Sequence, residues 1–413
     1  MIKLDIKRFI NIKEINMMKQ FVLFIFLMQL GHASTYTLNS ILKSADQNSV
    51  LSKALQQEGL ALSAKNKANT ASDPFEIFGE GTRAYPDIGR DGNEYSVGTS
   101  KKLILGNIQE QERTIAQLSN QAYLLEGERN ILNFKNGLKN LYHQHCLDTQ
   151  NYRSYKQSYQ DFAKLYKKKQ KAYKYQEISK TELMQLETEK NRLYAQLQEL
   201  KMQQEISKQN LFMLSKVHYT NTTQLSCRDM YPIKSSVKLT NTFRLSKEAH
   251  EKRLLSTQKA IKRYSNTLES IDISAQYTNE LDVDRYSIGL SLPLNFTSER
   301  SEQERAAAMY QNSAIGYRYE QTMREKRSLL TQLKSHLKSN ARMVKTLKNN
   351  YQNYQNRLLP LIKKSYDLGE TSVIEYLLNR QRSYQLRQEI YATKKAYYNT
   401  LFKLYTLSEK KDN

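Results

Sequence analysis

The stretch Ile271–Arg305, IDISAQYTNELDVDRYSIGLSLPLNFTSERSEQER, contains two short segments in which apolar and polar residues strictly alternate. The first runs from Ile271 to Tyr277 and the second from Tyr286 to Leu294. Successive side chains on a β-strand point to opposite faces, so this alternation predicts two strands with one apolar and one polar face each. Asn279–Arg285 is a polar connection, and Pro293 can end the second strand because proline has no backbone N–H to donate.

An isolated hairpin of this kind has two open edges and needs further strands to be stable. Two interpretations follow from the pattern alone. The hairpin could belong to a small soluble sheet, or it could form part of a transmembrane β-barrel that faces lipid on one side and a lumen on the other. The rest of the chain decides between them.

Composition favours long helices over a compact globule, because the 413 residues include only 13 Gly and 5 Pro, no Trp and 29 Tyr. The formal charge is +23, yet the basic residues are scattered along helical segments and interleaved with acids. A run such as Lys167–Lys169 therefore predicts a solvated helix face, and no nucleic-acid partner is expected.

The N-terminus has the pattern of a secretory signal peptide over residues 1–33, with residues 1–16 as an upstream extension before Met17. A basic start precedes the apolar run Phe21–Met28, which is too short to span a membrane, and a cleavage site follows near Ala33. In an exported chain Cys146 and Cys227 could pair, but the sequence does not decide this, and we interpret them as incidental.

The chain contains the same unit twice. The strand motif at Tyr95 recurs at Tyr286, about 190 residues later. We predict a first repeat over 34–215, an equatorial connection over 216–246, a second repeat over 247–407 and a polar tail over 408–413. In each repeat a β-hairpin precedes a rising helix, a tip and a falling helix, although Phe78 falls on the polar side of the first hairpin.

The predicted helices carry apolar residues at steps of three and four, the spacing of a coiled-coil seam. Seams run from Ile131 to Tyr166, from Leu183 to Leu214 and from Leu330 to Leu358. The two tips match at one constant offset through four residue pairs: Tyr173 with Tyr366, Glu177 with Glu370, Ser179 with Ser372, and Glu182 with Glu375. Gly369 suits a helix end, and Gln176 stands in its place in the first tip.

The predicted fold is therefore mainly α with a small β part: two long coiled-coil helical hairpins and four strands per chain. Four strands cannot close a barrel, and open edges are not tolerated in lipid. The chain must share a barrel with other copies, and three copies would supply twelve strands and a tube of long helices.

In YSIGLSLPLNFTSER (Tyr286–Arg300) and LLPLIKKSYDLGETSVIEYLLNRQRSY (Leu358–Tyr384), the chain resembles the TolC-like outer-membrane efflux family. The resemblance covers nearly the whole predicted mature chain. It implies a homotrimer with a 12-strand barrel in outer-membrane lipid and a helical barrel in the periplasm. Asp73–Gly81 and Lys101–Arg113 look more like the branch paired with heavy-metal exporters.

The same resemblance implies passive conduction of substrates from an inner-membrane pump, for which an RND-type pump is one candidate, through a periplasmic adaptor protein. It assigns adaptor docking to the tip residues Tyr173, Glu177, Ser179, Tyr366, Gly369, Glu370 and Ser372. It assigns a periplasmic gate to Tyr366, Glu375 and Glu182, where three Glu375 side chains would form a cation-selective ring. Thr371 and Leu378 depart from the pattern of the best-known member, and Glu375 could instead be a solvated helix residue.

The sequence shows no catalytic motif, so no enzyme activity and no cofactor are expected. His143-x-His145-Cys146 invites a metal interpretation, but residues two apart on a helix face different sides. We predict instead that His145 and Asp148 form a polar pair in the seam. Two alternative functions remain open: the outer-membrane exit duct of a type I protein secretion system, and a periplasmic coiled-coil adaptor or scaffold.

Overall fold

A computed structural model describes residues 35–85, 88, 91–217, 219–220, 223–265, 268–293 and 299–410. The predicted signal peptide lies outside the described residues, as does Leu294, the last apolar position of the second predicted strand. The described part of the chain is mostly helical and contains one four-stranded sheet and one short strand pair.

The described strands are β1 (Thr35–Tyr36), β2 (Glu76–Ala84), β3 (Gly92–Ile104), β4 (Gln224–Leu225), β5 (Ser270–Asn279) and β6 (Asp284–Ser291). The short β1 and β4 pair in parallel. The other four form one antiparallel sheet in the order β2-β3-β5-β6. The predicted hairpin is confirmed as β5 and β6, and β3 joins it to the first half from Tyr95↔Asn279 to Ile104↔Ser270.

The sheet has one apolar face and one polar face, as the alternation of apolar and polar residues predicts. One face is apolar and largely exposed, and its large exposed side chains are Ile77, Tyr95, Val97, Leu103, Ile273, Tyr286, Ile288 and Leu290. On the opposite face Ser96 and Gly98 are buried. Phe78 lies on this polar face, as expected, and its ring occupies the space that a side chain at position 98 would need.

The helices of the first half are α1 (Leu38–Asn48), α2 (Val50–Asn69), α3 (Ile108–Lys174) and α4 (Lys180–Ser215). With 67 residues, α3 is about 100 Å long. The helices α1 and α2 are separated at Ser49, which has an extended backbone and whose Oγ accepts the N–H of Ser52 at 3.3 Å. Serine often begins helices in this way, because its hydroxyl satisfies an otherwise unpaired N–H.

The helices of the second half are α5 (Arg244–Arg263), α6 (Arg300–Asn353), α7 (Leu359–Asp367) and α8 (Val373–Ser408). A π-helical turn, Tyr354–Leu358, joins α6 to α7 within the rising helix that the sequence predicts for the second repeat. Pro360 follows this turn at the start of α7. Proline lacks an N–H and crowds the carbonyl four residues earlier, which accounts for a local departure from α geometry here.

The connection between the two halves is anchored to the long helices. The interpretation of Cys146 and Cys227 as incidental was wrong. Cys146 of α3 and Cys227 of the connection form a disulfide, so these cysteines are not incidental. Neighbouring hydrogen bonds hold the same segment: the Tyr142 hydroxyl donates to the Ser226 carbonyl at 2.6 Å, and the Tyr231 N–H donates to His143 Nε2 at 2.8 Å. The pairing depends on tertiary contacts between segments 81 residues apart, which the sequence does not specify.

The predicted seams supply part of the core, and α8 adds residues such as Tyr397 and Leu401. Buried seam residues include Leu138, Tyr155, Phe162 and Tyr166 on α3, Leu186, Leu193, Leu197, Leu200 and Leu211 on α4, and Leu330, Leu337 and Val344 on α6. Leu214 is exposed, so the seam of α4 ends before its last turn. Among the described helices, none combines the length and apolar character needed to cross a membrane.

Candidate functional site

The two helical tips share one backbone geometry. Gln176 has φ +64° and Gly369 has φ +78°, so both take the left-handed conformation that ends a helix. The N–H of the following residue turns back to the helix in both tips, from Glu177 to the Ala172 carbonyl at 3.0 Å and from Glu370 to the Ser365 carbonyl at 2.9 Å. Glutamine therefore adopts the conformation that glycine adopts more easily.

Each falling helix then begins with the same serine cap. Ser179 Oγ accepts the N–H of Glu182 at 3.1 Å, and Ser372 Oγ accepts the N–H of Glu375 at 3.2 Å. Both glutamates lie in the first turn of their helices, where the helix dipole favours a negative charge. The structure thus brings the paired tip residues to equivalent positions.

The side chains of the paired tip residues have different surroundings in the two tips. The Tyr366 hydroxyl donates to Glu182 Oε1 at 2.6 Å, which joins the second tip to the first. Lys169 Nζ lies 3.8 Å from the same carboxylate oxygen and 4.5 Å from the centre of the Tyr366 ring. Burial, and donation to the Glu182 carboxylate, raise the pKa of Tyr366 above its ordinary value. Tyr366 and Glu182, two of the predicted gate residues, are therefore in direct contact.

The third predicted gate residue does not join this contact. Glu375 is exposed, and within the described part of the chain its carboxylate has no hydrogen-bond or ion-pair partner. Tyr173, the counterpart of Tyr366, is 38% exposed, and the predicted docking residues Glu177, Glu370 and Gly369 are exposed as well.

Three further residues extend the contact between Tyr366 and Glu182, and the sequence analysis did not single them out. One is Lys169, described above. Tyr376 stacks on Tyr366 with ring centres 4.7 Å apart, and Arg380 donates to the Tyr376 hydroxyl at 2.9 Å. Their spacing of four residues on α8 places them on one helix face, a signal that could have found them.

An apolar groove runs beside the tips between α4 and α8. It has a volume of about 500 Å³, and its lining includes Met184, Ile374, Leu377 and Leu378. Met184, Ile374 and Leu378 are each more than half exposed. The groove is thus an apolar surface on an otherwise polar helical end.

The histidines near the disulfide are structural. His143 is fully buried, its Nδ1 lies 2.7 Å from the Lys139 carbonyl, and burial lowers its pKa to about 4. His145 does not pair with Asp148 directly as predicted: its Nδ1 contacts Ser207 Oγ at 2.9 Å, while Asp148 forms an ion pair with Lys395. In the described ranges, no three His, Cys, Asp or Glu residues cluster closely enough to hold a metal ion.

An open four-stranded sheet, two helical hairpins with one long rising arm each, and paired helical tips define the fold of TolC-like channel protomers. Comparison with solved structures supports this fold. The outer membrane channel CmeC of Campylobacter jejuni superposes with a TM-score of 0.73 at 16% identity, over 91% of this chain and 87% of that one.

CusC, described in connection with transmembrane channel formation, has a TM-score of 0.75 at 13% identity over 90% of this chain and 91% of that one. The outer membrane channel MtrE of Neisseria gonorrhoeae, solved in an open state, has a TM-score of 0.68 at 14% identity, over 90% and 88% of the two chains. No protein-family model matches the sequence, and no curated protein matches it at a significant level. The likeness is therefore one of fold, and it confirms the fold class that the sequence resemblance implied.

Proposed function

We propose that this chain is one protomer of a trimeric outer-membrane channel-tunnel, which passively conducts substrates handed on by an inner-membrane pump through a periplasmic adaptor. The observation that carries the proposal is the four-stranded sheet. Its apolar face is exposed, with Tyr286 at 83%, Ile288 at 85% and Leu290 at 70%, while Ser96 on its polar face is buried. A soluble sheet would bury the apolar face and expose the polar one.

Strand length and the positions of charges support a location in lipid. Strands β2, β5 and β6 have 9, 10 and 8 residues, close to the roughly 9–11 that a tilted strand needs to cross a bilayer. The charged residues on the apolar face lie towards the strand ends, with Arg83 and Asp284 at one end and Lys101 towards the other. The middle of the face is left apolar, as a lipid-facing band requires.

The sheet edges support the trimer. Among the described strands, β2 and β6 each pair on one side only. An unpaired edge cannot persist in lipid, so the free edge of β6 must pair with β2 of a second copy. Three copies joined in this way close a barrel of twelve strands, and the long helices continue as a tube into the periplasm.

The tips supply the proposed gate and docking surface. The Tyr366–Glu182 contact holds the two tips of one chain together and keeps the periplasmic entrance narrow. Three exposed Glu375 carboxylates around that entrance favour the passage of cations. An adaptor hairpin docks on the exposed tip residues and in the adjoining apolar groove that contains Leu377 and Leu378.

The assembly is tested by expressing the full chain, fractionating membranes and crosslinking the detergent-solubilised protein. The expected result is an outer-membrane protein whose crosslinked mass is three times that of the chain and which conducts ions in planar bilayers. A water-soluble monomer would contradict the proposal and favour a periplasmic scaffold.

The gate is tested in the same bilayers with Glu375→Gln. The expected result is a loss of cation selectivity, whereas Glu389→Gln, an exposed acid further along α8, should leave selectivity unchanged. Equal selectivity of the wild type and Glu375→Gln would reject the carboxylate ring.

Efflux channels and protein-secretion channels share this fold, and the genes beside this one distinguish the two functions. Neighbouring genes for an adaptor and a pump for small substrates support efflux. Neighbouring genes for a secretion ATPase and a large protein substrate support the alternative.

A further inference from the structure

A polar cavity of about 310 Å³ lies between the middle of α3, the π turn and α8. Arg380 and Arg387 enter it from α8, and Ser154 and Ser158 line it from α3. Of its lining residues, Arg380 also reaches the proposed gate, because it donates to Tyr376, which stacks on Tyr366. Its chemistry differs from that of the apolar groove at the tips, because its lining is mainly polar and includes two guanidinium groups.

Among the described residues, the partners of Arg380 are all neutral. Its two terminal nitrogens donate to the Tyr376 and Tyr384 hydroxyls at 2.9 and 3.0 Å, and its guanidinium lies 5.6 Å from the centre of the Phe162 ring. A guanidinium has five N–H donors. Two hydrogen bonds to described residues therefore leave three of them available.

Arg387 is also held by neutral groups. It donates to Ser154 Oγ at 2.6 Å, to Ser158 Oγ at 3.0 Å and, through Nε, to the Tyr351 hydroxyl at 3.0 Å. Neither arginine forms an ion pair with any described carboxylate. The one acid that lines the cavity, Asp161, is exposed and accepts from the Gln157 amide at 3.0 Å.

Two partly buried positive charges without a counter-charge are unfavourable, because neutral hydroxyls replace water only in part. An anion between them would supply the missing charge. The hydroxyl of Tyr384, which lines the cavity, accepts from Arg380, so it still has its own hydrogen to donate to such an anion. Guanidinium groups match oxyanions such as phosphate in both charge and geometry.

The π turn gives this cavity a built wall. Tyr354 of the turn donates to Asn379 Oδ1 at 2.7 Å, and Gln355 Oε1 accepts the Ser383 hydroxyl at 3.0 Å, so the turn is fixed to α8. Single π turns inside long helices occur frequently at functional sites. The π turn and the two arginines are two independent features, and both occur at this cavity.

We propose that this cavity binds an oxyanion of the phosphate or sulfate type, either free or as the terminal group of a larger molecule, with Arg380 and Arg387 as its ligands. The two residues are two helical turns apart, about 10.5 Å between Cα atoms, and their long side chains can converge on one anion. The proposal does not depend on transport, because a scaffold with the same cavity would bind the same anion.

The test is equilibrium dialysis of the purified full-length protein in detergent against radiolabelled orthophosphate, with chloride keeping the ionic strength constant. Saturable binding of one phosphate per chain is expected, with competition by sulfate. Arg380→Gln and Arg387→Gln should each weaken binding at least tenfold. Arg382→Gln, which removes an exposed charge from another face of α8, should leave binding unchanged.

A second arm uses glycerol 3-phosphate. If it binds and orthophosphate does not, the site takes a terminal phosphoryl group, and if both bind, it takes the free anion as well. If neither orthophosphate nor glycerol 3-phosphate binds saturably to the wild-type protein, the proposal is overturned, whatever the variants do. If Arg382→Gln weakens binding as much as Arg387→Gln does, the proposal is also overturned. Binding would then depend only on the net charge of the protein.

Discussion

His143 should make the helical part of the protein sensitive to acid. The ring is fully buried, with Tyr231, Tyr398 and Phe402 around it at centre distances of 4.9, 4.5 and 4.9 Å. Its Nε2 accepts the Tyr231 N–H at 2.8 Å and therefore carries no proton in the folded state. Protonation would replace this hydrogen bond with two opposed donors and place a charge in the core.

The size of the effect follows from the pKa values of His143. Burial lowers its pKa to about 4 from an ordinary value of 6.5. The unfolded chain therefore binds a proton more readily, and stability falls as the pH drops below about 6.5 and levels off below about 4. Between about pH 7.5 and pH 5, the loss is about 2 kcal/mol from this residue alone. His145, with a pKa also lowered to about 4 by burial, should add a similar loss.

The assay is urea unfolding followed by far-ultraviolet circular dichroism at both pH values, for the wild type, His143→Gln and His336→Gln. His143→Gln should remove the roughly 2 kcal/mol that His143 contributes to the pH dependence, because glutamine does not titrate. His336 is exposed on α6 and serves as the matched control, whose replacement should change nothing. The reasoning fails if His143→Gln retains the full pH dependence of the wild type.

Three further predictions concern the disulfide, the tips and the gate. Replacing Cys146 and Cys227 together by alanine should cost about 4.5 kcal/mol, from the loop-closure entropy of 81 residues, and a reductant should destabilise only the wild type in urea unfolding. Gln176→Gly should stabilise by about 1 kcal/mol and Gly369→Ala should destabilise by at least as much, measured by the same unfolding, because both positions have positive φ. Tyr366→Phe removes a hydrogen bond to a carboxylate worth roughly 1.5–3 kcal/mol and should raise channel opening in planar bilayers at least tenfold; unchanged opening would reject its role as a gate.

Local pattern was sufficient for most of the fold. The alternation from Tyr286 to Leu290 identified a strand because a pleated strand repeats every two residues. Steps of three and four identified the long helices for the corresponding reason. The match between the two tips likewise predicted one geometry twice, and Gln176 takes positive φ even though glutamine does not favour it.

The sequence predicted less of the candidate site. It placed Tyr366 and Glu182 in separate tips, but their contact joins residues 184 positions apart, which no local pattern encodes. Glu375 has the same sequence context as Glu182 and yet has no described side-chain partner, because a repeat fixes backbone geometry and not the neighbours of a side chain. Lys169, Tyr376 and Arg380 join the same contact, and of this arrangement the sequence shows only the spacing of Tyr376 and Arg380 on α8.

The periodicity of neighbouring residues thus determined the strands and the long helices, and the sequence duplication determined the two equivalent tips. The tertiary structure alone decided the Cys146–Cys227 disulfide, the bond between Tyr366 and Glu182 and the cavity around Arg380 and Arg387. Each of these joins segments far apart in the chain. Such contacts depend on the packing of whole helices against one another, and periodicity within a single helix does not specify them.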